Sequence, residues 1–498
     1  MNMIDWLPLL ILLSSLVPGL VIFFLDEQQH LLRTLLNMVG ASLKLVLVGV
    51  LIWGVFHGVE YETRFPLAPG MELVLHTDAL SVLFVTLSTG LWFVTTLYAI
   101  GYLEVSPHRS RFFGFFSLCV SATIGIAMAG NMLTFLFFYE MLTLSTYPLV
   151  VHRGTPEALR GGRIYLTYTL IGGAVLLAGV AWLRALAGPL DFTEMGLLAS
   201  RGDLDQTSLT FIFALLIGGL GVKAALVPLH GWLPQAMIAP APVSALLHAV
   251  AVVKAGAFGI VRVVYDVYGI EFSAELNLLT PLALVASLTI VYGSVRALFQ
   301  DELKKRLAFS TVSQVSYIVL GTAIFGPIAS IGGIVHLVHQ GLMKITLFFC
   351  AGNYAETLGI HHISEMRGIG RRMPWTTVAF TLGALGMIGV PPMAGFISKW
   401  YLANGALAAG QGWVIWVLVA SGLLNAAYFL PILYKAWFEV PVGDWPAERN
   451  YGRLETHWML LVPPVLTGVL ALLVGLLAQA PYSALRWVRL IAFREYGQ

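Results

Sequence analysis

Two long apolar runs within residues 215–262 each carry one lysine, and a proline-rich link joins them. The lysines are Lys223 and Lys254, and the link reads LVPLHGWLPQAMIAPAPV. A charged side chain at the centre of a bilayer costs about 2.5 to 3.5 kcal/mol on insertion scales. Prolines between or inside spans free backbone carbonyls, which only a buried or water-lined site can satisfy. Charge together with a broken helix is typical of an ion pathway inside a helical bundle.

The rest of the chain is too apolar for a soluble protein. Of its 498 residues, 58% are hydrophobic and 11% are charged, whereas soluble domains carry roughly 25% charged residues. We therefore predict a polytopic membrane protein. The net charge of +2 is too small to indicate a nucleic-acid partner. Cys119 and Cys350 lie in apolar runs and are interpreted as core residues. Neither CxxC nor HExxH occurs in the sequence, so no metal site is predicted.

Spans of about 20 apolar residues predict an all-α protein with fourteen transmembrane helices. They lie near residues 7–25, 35–56, 77–101, 111–129, 131–151, 163–187, 209–229, 241–268, 277–299, 306–325, 328–355, 374–405, 411–438 and 456–479. We group them into residues 1–110 with helices one to three, 111–268 with helices four to eight, 269–440 with helices nine to thirteen, and 441–498 with the last helix and a short interfacial segment. The first apolar run follows no Lys or Arg, so it is interpreted as a span and not as a cleaved signal.

Basic residues in the connections predict the orientation of the spans. Fourteen Arg and Lys residues fall on one side of the membrane and seven on the other. The richer side is predicted to be cytoplasmic, and an even number of spans then places both termini outside. The C-terminal arginines Arg486, Arg489 and Arg494 run against this trend.

Proline breaks recur in the two halves of the chain. Pro228 follows Lys223 in the seventh span, and Pro391-Pro392 precedes Lys399 in the twelfth. The twelfth span lies five positions after the seventh, an odd number, so the two broken helices run in opposite directions through the bilayer. We therefore expect two inverted five-helix repeats, with helices 7 and 12 broken.

Glu140 lies in the middle of a span with no basic neighbour in its own helix. Its partner must come from another helix, and Lys223 is the natural candidate. Burial among apolar residues disfavours the charged form of a lysine, and a carboxylate within about 4–6 Å restores it. Moving the carboxylate away from the lysine or toward it would therefore cause the lysine to lose or to bind a proton. A purely structural ion pair that locks two helices is the alternative.

His248 and Lys254 share the eighth span. Six residues turn a straight helix by about 600°, so the two side chains would face nearly opposite ways. They can reach one cavity only if the helix is distorted or is enclosed by protein on all sides. Pro240 and Pro242 at the start of the span permit such a distortion. A purely structural histidine is the alternative for His248.

The eleventh and twelfth spans carry the other candidates. His336, Gln340 and Lys344 are spaced i, i+4, i+8, which forms one stripe along a helix and can carry a hydrogen-bonded relay. Lys399 follows the double proline, where freed carbonyls could hold water; the alternative is a side chain that extends to the membrane interface. Histidine pairs in membrane helices can also hold haem, but the accompanying lysines favour a relay. No cofactor is therefore predicted.

Several of these stretches together resemble one family, the antiporter-like subunits shared by Mrp-type cation/proton antiporters and respiratory complex I. The similar stretches are HTDALSVLF, FYEMLTLSTYPLV, GVKAALVPLHGWLPQAM, APVSALLHAVAVVKAG, KKRLAFSTVSQ, HLVHQGLMKITLFFCAG and GVPPMAGFISKW. The resemblance implies a fourteen-helix subunit with two inverted five-helix repeats and a central line of charged residues.

The resemblance also implies roles for individual residues. Glu140 and Lys223 would be the coupling pair, His248 and Lys254 the bridge, and Lys399 the residue at the exit half-channel. His336 and Lys344 would form the relay of the eleventh helix. The chain departs from the family at Gln340, where many relatives carry a second histidine, so the relay is expected to run through water at that position.

The length of the chain and the stretch HGWLPQAMIAPAPVSALLHAVAVVKAG look most like a D-type antiporter subunit. We therefore expect a proton-translocating subunit, not itself an enzyme, that exchanges Na⁺ or K⁺ for protons. Its expected place is a multi-subunit complex in the inner (plasma) membrane of a prokaryote, with other membrane subunits as partners. The alternative is a proton-pumping subunit of a complex I-type NADH:quinone oxidoreductase or a related membrane-bound redox complex. Both would use the same relay, so the partner subunits distinguish them.

Overall fold

The computed structural model of the chain describes residues 6–103, 106–441 and 443–497, and these residues are mostly helical. A segment inside a bilayer must satisfy its backbone hydrogen bonds internally, so long apolar runs form helices. The α-helices are α1 Leu7–Phe23, α2 His30–Phe56, α3 Ala79–Tyr102, α4 Arg109–Ala127, α5 Met132–Val150, α6 Pro156–Ala187, α7 Gln206–Lys223, α8 Trp232–Gln235, α9 Ala241–Ala245, α10 Val252–Arg262, α11 Ile270–Glu275, α12 Leu279–Leu298, α13 Leu303–Ala323, α14 Pro327–Leu358, α15 Ile369–Arg372, α16 Pro374–Ile388, α17 Ala394–Ala408, α18 Trp413–Phe438, α19 Trp458–Leu476 and α20 Ala484–Glu495. The predicted segments 1–110 and 441–498 include residues 1–5, 104, 105, 442 and 498, which lie outside the described residues.

Eleven helices of the described residues are long and apolar enough to cross a membrane. Three of the fourteen predicted spans do not meet that criterion, each for a visible reason. α1 has only 17 residues, α13 contains the polar stretches LKKR and STVSQVS, and the twelfth predicted span is divided into α16 and α17 of 15 residues each. The prediction of a mostly helical, multi-pass membrane protein is confirmed.

Two helical segments lie at the centre of the bundle. The segment from Ala241 to Tyr268, which contains α9 and α10, is buried along its whole length, and α14 is buried along nearly all of its length. α14 packs against α13, α16, α17 and α19, and it also contacts α3. Both cysteines, Cys119 and Cys350, are buried and unpaired, as predicted.

A β-hairpin that the sequence analysis did not predict connects α2 to α3. Its strands are β1 Glu62–Ala68 and β2 Met71–His76, and they pair antiparallel. The signal was present, because a Pro-Gly turn separates two short runs that contain strand-favouring residues. Gly70 in this turn has a φ of +72°, a left-handed conformation that glycine adopts freely.

The C-terminal helix α20 lies along α14 and α3. The backbone N–H of Arg486 donates to the Ser483 hydroxyl at 3.2 Å, which caps the N-terminus of the helix. Trp487 Nε1 donates to the carbonyl of Ala79 at 2.8 Å. The sequence predicted a short interfacial segment here; the structure shows that it is helical, and its place at the membrane interface stays a prediction.

Candidate functional site

The chain leaves helical geometry directly after Lys223, the last residue of α7. Pro228 has no backbone N–H and so prevents the helix from continuing. Trp232, at the start of α8, turns back and donates from Nε1 to the carbonyl of Val222 at 2.7 Å. This bond satisfies one of the carbonyls that the break frees. The break therefore fixes a fully buried lysine at a helix end inside the bundle.

Helix α10 crosses the end of α7 at very close range. A Cβ atom on Gly256 would lie 2.2 Å from the backbone nitrogen of Ala224. We expect Gly256→Ala to destabilise the folded protein by about 1–3 kcal/mol through overpacking, because the atom it meets belongs to the backbone. Thermal unfolding of the purified complex measures this effect. The control is Gly90→Ala in α3, where an added Cβ meets nothing within 4 Å. Equal melting temperatures for the two variants would contradict the predicted overpacking at Gly256.

Lys223 reaches α5 at the residue next to Glu140. Its ammonium donates to the backbone carbonyl of Tyr139 and lies 3.3 Å from the centre of the Tyr139 ring. Glu140 packs against Gly173 of α6, and its Oε1 is buried without a hydrogen-bond partner. The two side chains interact electrostatically, but among the described residues they form no ion pair within 4 Å. This arrangement holds the lysine on a carbonyl, with the carboxylate beside it.

The eighth predicted span is distorted, which is a condition under which His248 and Lys254 can reach one cavity. A π-helical turn at Leu246–Val250 precedes α10, and Ala251 between them has φ −114° and ψ −85°. His248 lies in this turn, and its ring stacks on Phe348 with the centroids 4.5 Å apart. Both ring nitrogens of His248 are buried and have no hydrogen-bond partner. A π-helical turn inside a helix frequently marks a functional site.

Lys254 contacts α14 at the turn that carries two histidines. Its ammonium donates to the carbonyl of Leu337 at 2.7 Å, and it acts electrostatically on both His336 and His339. His339 is fully buried, and neither of its ring nitrogens has a hydrogen-bond partner. Lys254 therefore connects the helix that bears His248 to the helix that bears His336.

His336 connects three helices. Its Nδ1 lies 2.7 Å from the hydroxyl of Ser398 in α17, and its Nε2 lies 3.2 Å from Oε1 of Gln314 in α13. Neither partner was predicted from the sequence. The signal for Gln314 was its place in the polar stretch STVSQVS, which is unusual inside a membrane helix. Ser398 is the chain neighbour of Lys399, so this contact joins two candidate residues.

Lys399 turns back toward the break that precedes α17. Its ammonium donates to the carbonyls of Met387 at 2.9 Å and Ile388 at 2.8 Å, which are the last two of α16. Gln314 and Asn425 donate from their side-chain amides to the same Met387 carbonyl, at 3.4 and 3.1 Å. The double proline thus frees carbonyls near Lys399, as expected, and the lysine itself binds them. The side chain of Lys399 is half-buried, and its extension to the membrane interface stays an alternative.

The stripe predicted on α14 consists of His336, Gln340 and Lys344, and each of these side chains binds partners of its own. Lys344 donates to the carbonyl of Leu307 in α13 at 3.0 Å, and Gln340 donates from Nε2 to the carbonyl of His248 at 3.4 Å. Oε1 of Gln340 is buried without a partner. In the portion of the chain that the structure describes, no direct hydrogen bond joins His336, Gln340 and Lys344 to one another. A relay along this helix has to pass through their partners or through water.

Two family profiles match the chain. The one described as "NADH:quinone oxidoreductase/Mrp antiporter, TM" matches residues 129–424. The chain belongs to this family. The profile described as "NADH-Ubiquinone oxidoreductase (complex I), chain 5 N-terminus" matches residues 70–113. All seven candidate residues of this antiporter-family chain lie within the first matched range.

Relatives of this family member come from both branches. It is 35% identical to the N subunit of the NADH-quinone oxidoreductase of Desulforudis audaxviator, over 84% of each chain. It is 27% identical to the D subunit of the Na(+)/H(+) antiporter of Bacillus subtilis, over 96% of this chain and 94% of that protein. Its fold matches a chain in the Mrp complex from Dietzia sp. DQ12-45-1b with a TM-score of 0.86 at 23% identity, covering 100% of this chain and 98% of that one.

Four cationic side chains of this antiporter-family chain that were not candidates in the sequence are also buried among the described residues, namely Arg33, Lys44, Arg262 and Arg306. Arg262, one of the seven basic residues that we place on the side opposite to the cytoplasm, has a side chain that is 1% exposed and is paired with Asp78 and Asp266. Lys44 is fully buried in α2. Both could have been found by the signal that found the other lysines, a basic residue inside an apolar run.

Proposed function

We propose that the chain is the proton-translocating membrane subunit of a multi-subunit monovalent cation/proton antiporter. The observation that carries the proposal is that Lys223, Lys254 and Lys344 are fully buried and bond to backbone carbonyls. A buried ammonium without a paired carboxylate is costly, and its protonation state shifts readily with its surroundings. Three such lysines between adjoining helices therefore favour a role in proton transfer over a purely structural role.

The proposed pathway follows the contacts between helices. We call its members the central line: Glu140, Lys223, His248, Lys254, His336, Lys344 and Lys399. Glu140 and Lys223 are the coupling pair, His248 and Lys254 the bridge, His336 and Lys344 the relay, and Lys399 the exit group. The support is that Lys223 reaches α5, Lys254 reaches α14, His336 reaches α13 and α17, and Lys399 reaches α16. The unpartnered nitrogens of His248 leave room for water in this line.

The proposed architecture has fourteen spans, with two inverted five-helix repeats at residues 111–268 and 269–440. An N-terminal segment of residues 1–110 precedes the repeats, and a last helix in 441–498 follows them. Both broken helices carry the pattern Pro-x-x-Gly-aromatic, PLHGW at 228–232 and PMAGF at 392–396. When the two patterns are aligned, Lys223 corresponds to Met387, whose carbonyl accepts the hydrogen bond of Lys399. The two lysines lie on opposite sides of their breaks in sequence, and each is buried or half-buried next to the break.

The proposed orientation puts the connections rich in Arg and Lys in the cytoplasm and both termini outside. The proposed location is the plasma membrane of a prokaryote, in line with the bacterial relatives. The proposed partners are other membrane subunits of the same complex, because the D-type relative and the Mrp complex chain match this chain over nearly their whole length. In this role the chain is a transporter subunit and catalyses no reaction itself.

A second candidate function is supported by the higher sequence identity to the quinone oxidoreductase subunit. In that case the same central line would pump protons within a complex I-type redox complex. Everted membrane vesicles that carry the whole complex distinguish the two functions. With a pH gradient set by a separate proton pump, Na⁺ or K⁺ is expected to collapse the gradient, and vesicles that lack this chain are the control. Proton pumping driven by a redox donor, with no response to either cation, would overturn antiport and establish the second function.

A further inference from the structure

Lys44 is a fully buried lysine that lies outside the central line. It lies near the middle of α2, a helix that leaves most of its surface exposed. Val46 and Trp53 on that helix are 64% and 65% exposed, whereas Lys44 is 0% exposed. α2 also lies outside both sequence ranges that match the family profiles. The lysine therefore points inward from the edge of the protein, into the contact between α2 and its neighbours.

Among the described residues, Lys44 bonds to a hydroxyl and to no backbone carbonyl, whereas Lys344 bonds to the Ser310 hydroxyl as well as to the Leu307 carbonyl. Its ammonium lies 2.5 Å from the hydroxyl of Ser15 in α1, and that hydroxyl lies 2.8 Å from the hydroxyl of Ser121 in α4. Ser121 donates in turn to the carbonyl of Ser117 at 2.9 Å. The face of the Trp92 ring in α3 lies 4.7 Å from the ammonium. The amino group of Lys44 in α2 thus contacts α1 and α3 directly and is connected to α4 through Ser15.

A hydroxyl partner allows two protonation states, because it can both donate and accept a hydrogen bond. With Lys44 charged, the ammonium donates to Ser15, and Ser15 donates to Ser121. With Lys44 neutral, Ser15 reverses and donates to the amine, while Ser121 keeps its bond to the Ser117 carbonyl. A backbone carbonyl only accepts, so it favours the charged form alone.

The surroundings contain polar atoms that indicate space for water. Trp92 Nε1, the Ser88 hydroxyl and the Thr89 hydroxyl are all buried in α3 without a hydrogen-bond partner. Ser88 and Trp92 are four residues apart and so share a face of the helix. Buried polar groups in proteins are nearly always paired with protein or with ordered water. Trp92, whose ring faces Lys44, carries one of these unpaired donors, and we infer from it water that can deliver a proton.

No charged group compensates Lys44 from the described residues of the helices around it. α1 contains no ionisable residue. On α2 itself Arg33 bonds to Ser110 at 2.6 Å, and on α3 Tyr98 donates to the carbonyl of Phe349 at 3.0 Å. On α4, Cys119 contacts Ser145 of α5 at 3.3 Å. Within residues 6–103, 106–441 and 443–497, Lys44 forms no ion pair.

We propose that Lys44, Ser15 and Ser121 form a proton-holding site beside the central line. The ligand is a proton carried by water: the neutral amine accepts it from hydronium, an N–H bond forms as an O–H bond breaks, and a water molecule remains. Ser121 lies in α4, and α4 packs against α5, the helix that carries Glu140. The charge on Lys44 therefore acts on the first half of the central line from the side. The effect of Lys44 on the central line rests on the proposed proton transport. The change in protonation of Lys44 itself does not depend on that proposal.

Solid-state NMR of the ¹⁵N-lysine-labelled complex in lipid tests the site directly. The chain has eight lysines, and the signal lost in Lys44→Met identifies Lys44. We expect this signal to move from the ammonium to the amine position as the pH is raised, and Ser15→Ala to shift the pH of that change. A signal that keeps one position at every pH would overturn the proposal. If the Lys44→Met complex does not assemble, the test rests on Ser15→Ala alone. A lysine spectrum that changes with pH in the same way in Ser15→Ala as in the wild type would then also overturn the proposal.

Transport tests the role of the site separately. Cation-dependent proton movement is expected to fall by about tenfold in Lys44→Met, the effect of losing one protonation-linked interaction of ordinary strength. Lys435→Met, which removes a half-buried lysine near the end of α18, is the matched control and should keep the wild-type rate. Equal rates for the two variants would remove the role in transport. If the wild-type complex moves no protons in response to cations, the proposed function fails, and the NMR titration still decides the site.

Discussion

Replacing Lys223 with alanine is expected to abolish cation-dependent proton movement while the complex still assembles. The ammonium bonds to the carbonyl of Tyr139, which also accepts from the Thr143 hydroxyl at 3.4 Å, so no polar group loses its last partner. Loss of the buried ammonium removes a cost of about 2.5–3.5 kcal/mol, but it also leaves Glu140 without the positive charge beside it. These two effects oppose each other, so we expect the variant to assemble and to lack transport.

Dye-monitored pH gradients in everted vesicles measure the loss in Lys223→Ala. The rate should equal that of vesicles without the complex. Lys223→Met keeps the side-chain volume, so the same result in that variant rules out a cavity as the cause. Lys435→Ala in α18 is the control for removal of a lysine from a helix. A wild-type rate in Lys223→Ala would exclude Lys223 from the pathway.

Glu140→Gln is expected to uncouple cation movement from proton movement almost completely. The glutamine keeps the shape of the side chain, and Oε1 of Glu140 has no hydrogen bond to lose, so assembly should not suffer. What disappears is the negative charge beside Lys223, which favours the charged form of that lysine. The measurement is the same vesicle assay on equal amounts of assembled complex.

The matched control for Glu140→Gln is Glu157→Gln, an exposed acid in the first turn of α6. It should transport at the wild-type rate. If Glu140→Gln also transports at that rate while Lys223→Ala is silent, the acid that couples to Lys223 is a different one. That result would remove Glu140 from the proposed pair.

The buried lysines were predictable because a charge inside a long apolar run is visible in sequence, whatever the fold. Pro228 and Pro391-Pro392 were also informative, because proline removes a helical hydrogen bond and favours a break, although Pro148 and Pro431 lie inside continuous helices. The distortion of the helix that carries His248 and Lys254 could also be predicted, and a π-helical turn lies between the start of that span and α10.

The partners of these residues could not be predicted, because they come from distant parts of the chain. Lys254 binds the carbonyl of Leu337, and His336 binds Ser398 and Gln314, through packing that no local pattern encodes. The sequence predicted a carboxylate partner for Lys223, whereas the structure places its ammonium on a carbonyl next to that carboxylate. Lys44 carried the same signal as the other lysines and was overlooked in sequence, and its contacts with α1 and α3 required the structure.

The central claim is that one proton pathway runs through both halves of the protein, and Lys254 is where the halves meet. The most direct test is proton flux through the reconstituted complex with Lys254→Met, measured with a pH dye enclosed in the liposomes. This variant leaves Glu140, Lys223 and Lys399 in place and removes only the contact from α10 to α14. We expect cation-dependent proton flux to stop in this variant, while Lys435→Met keeps it. Wild-type flux in Lys254→Met would show that the two halves do not act as one pathway.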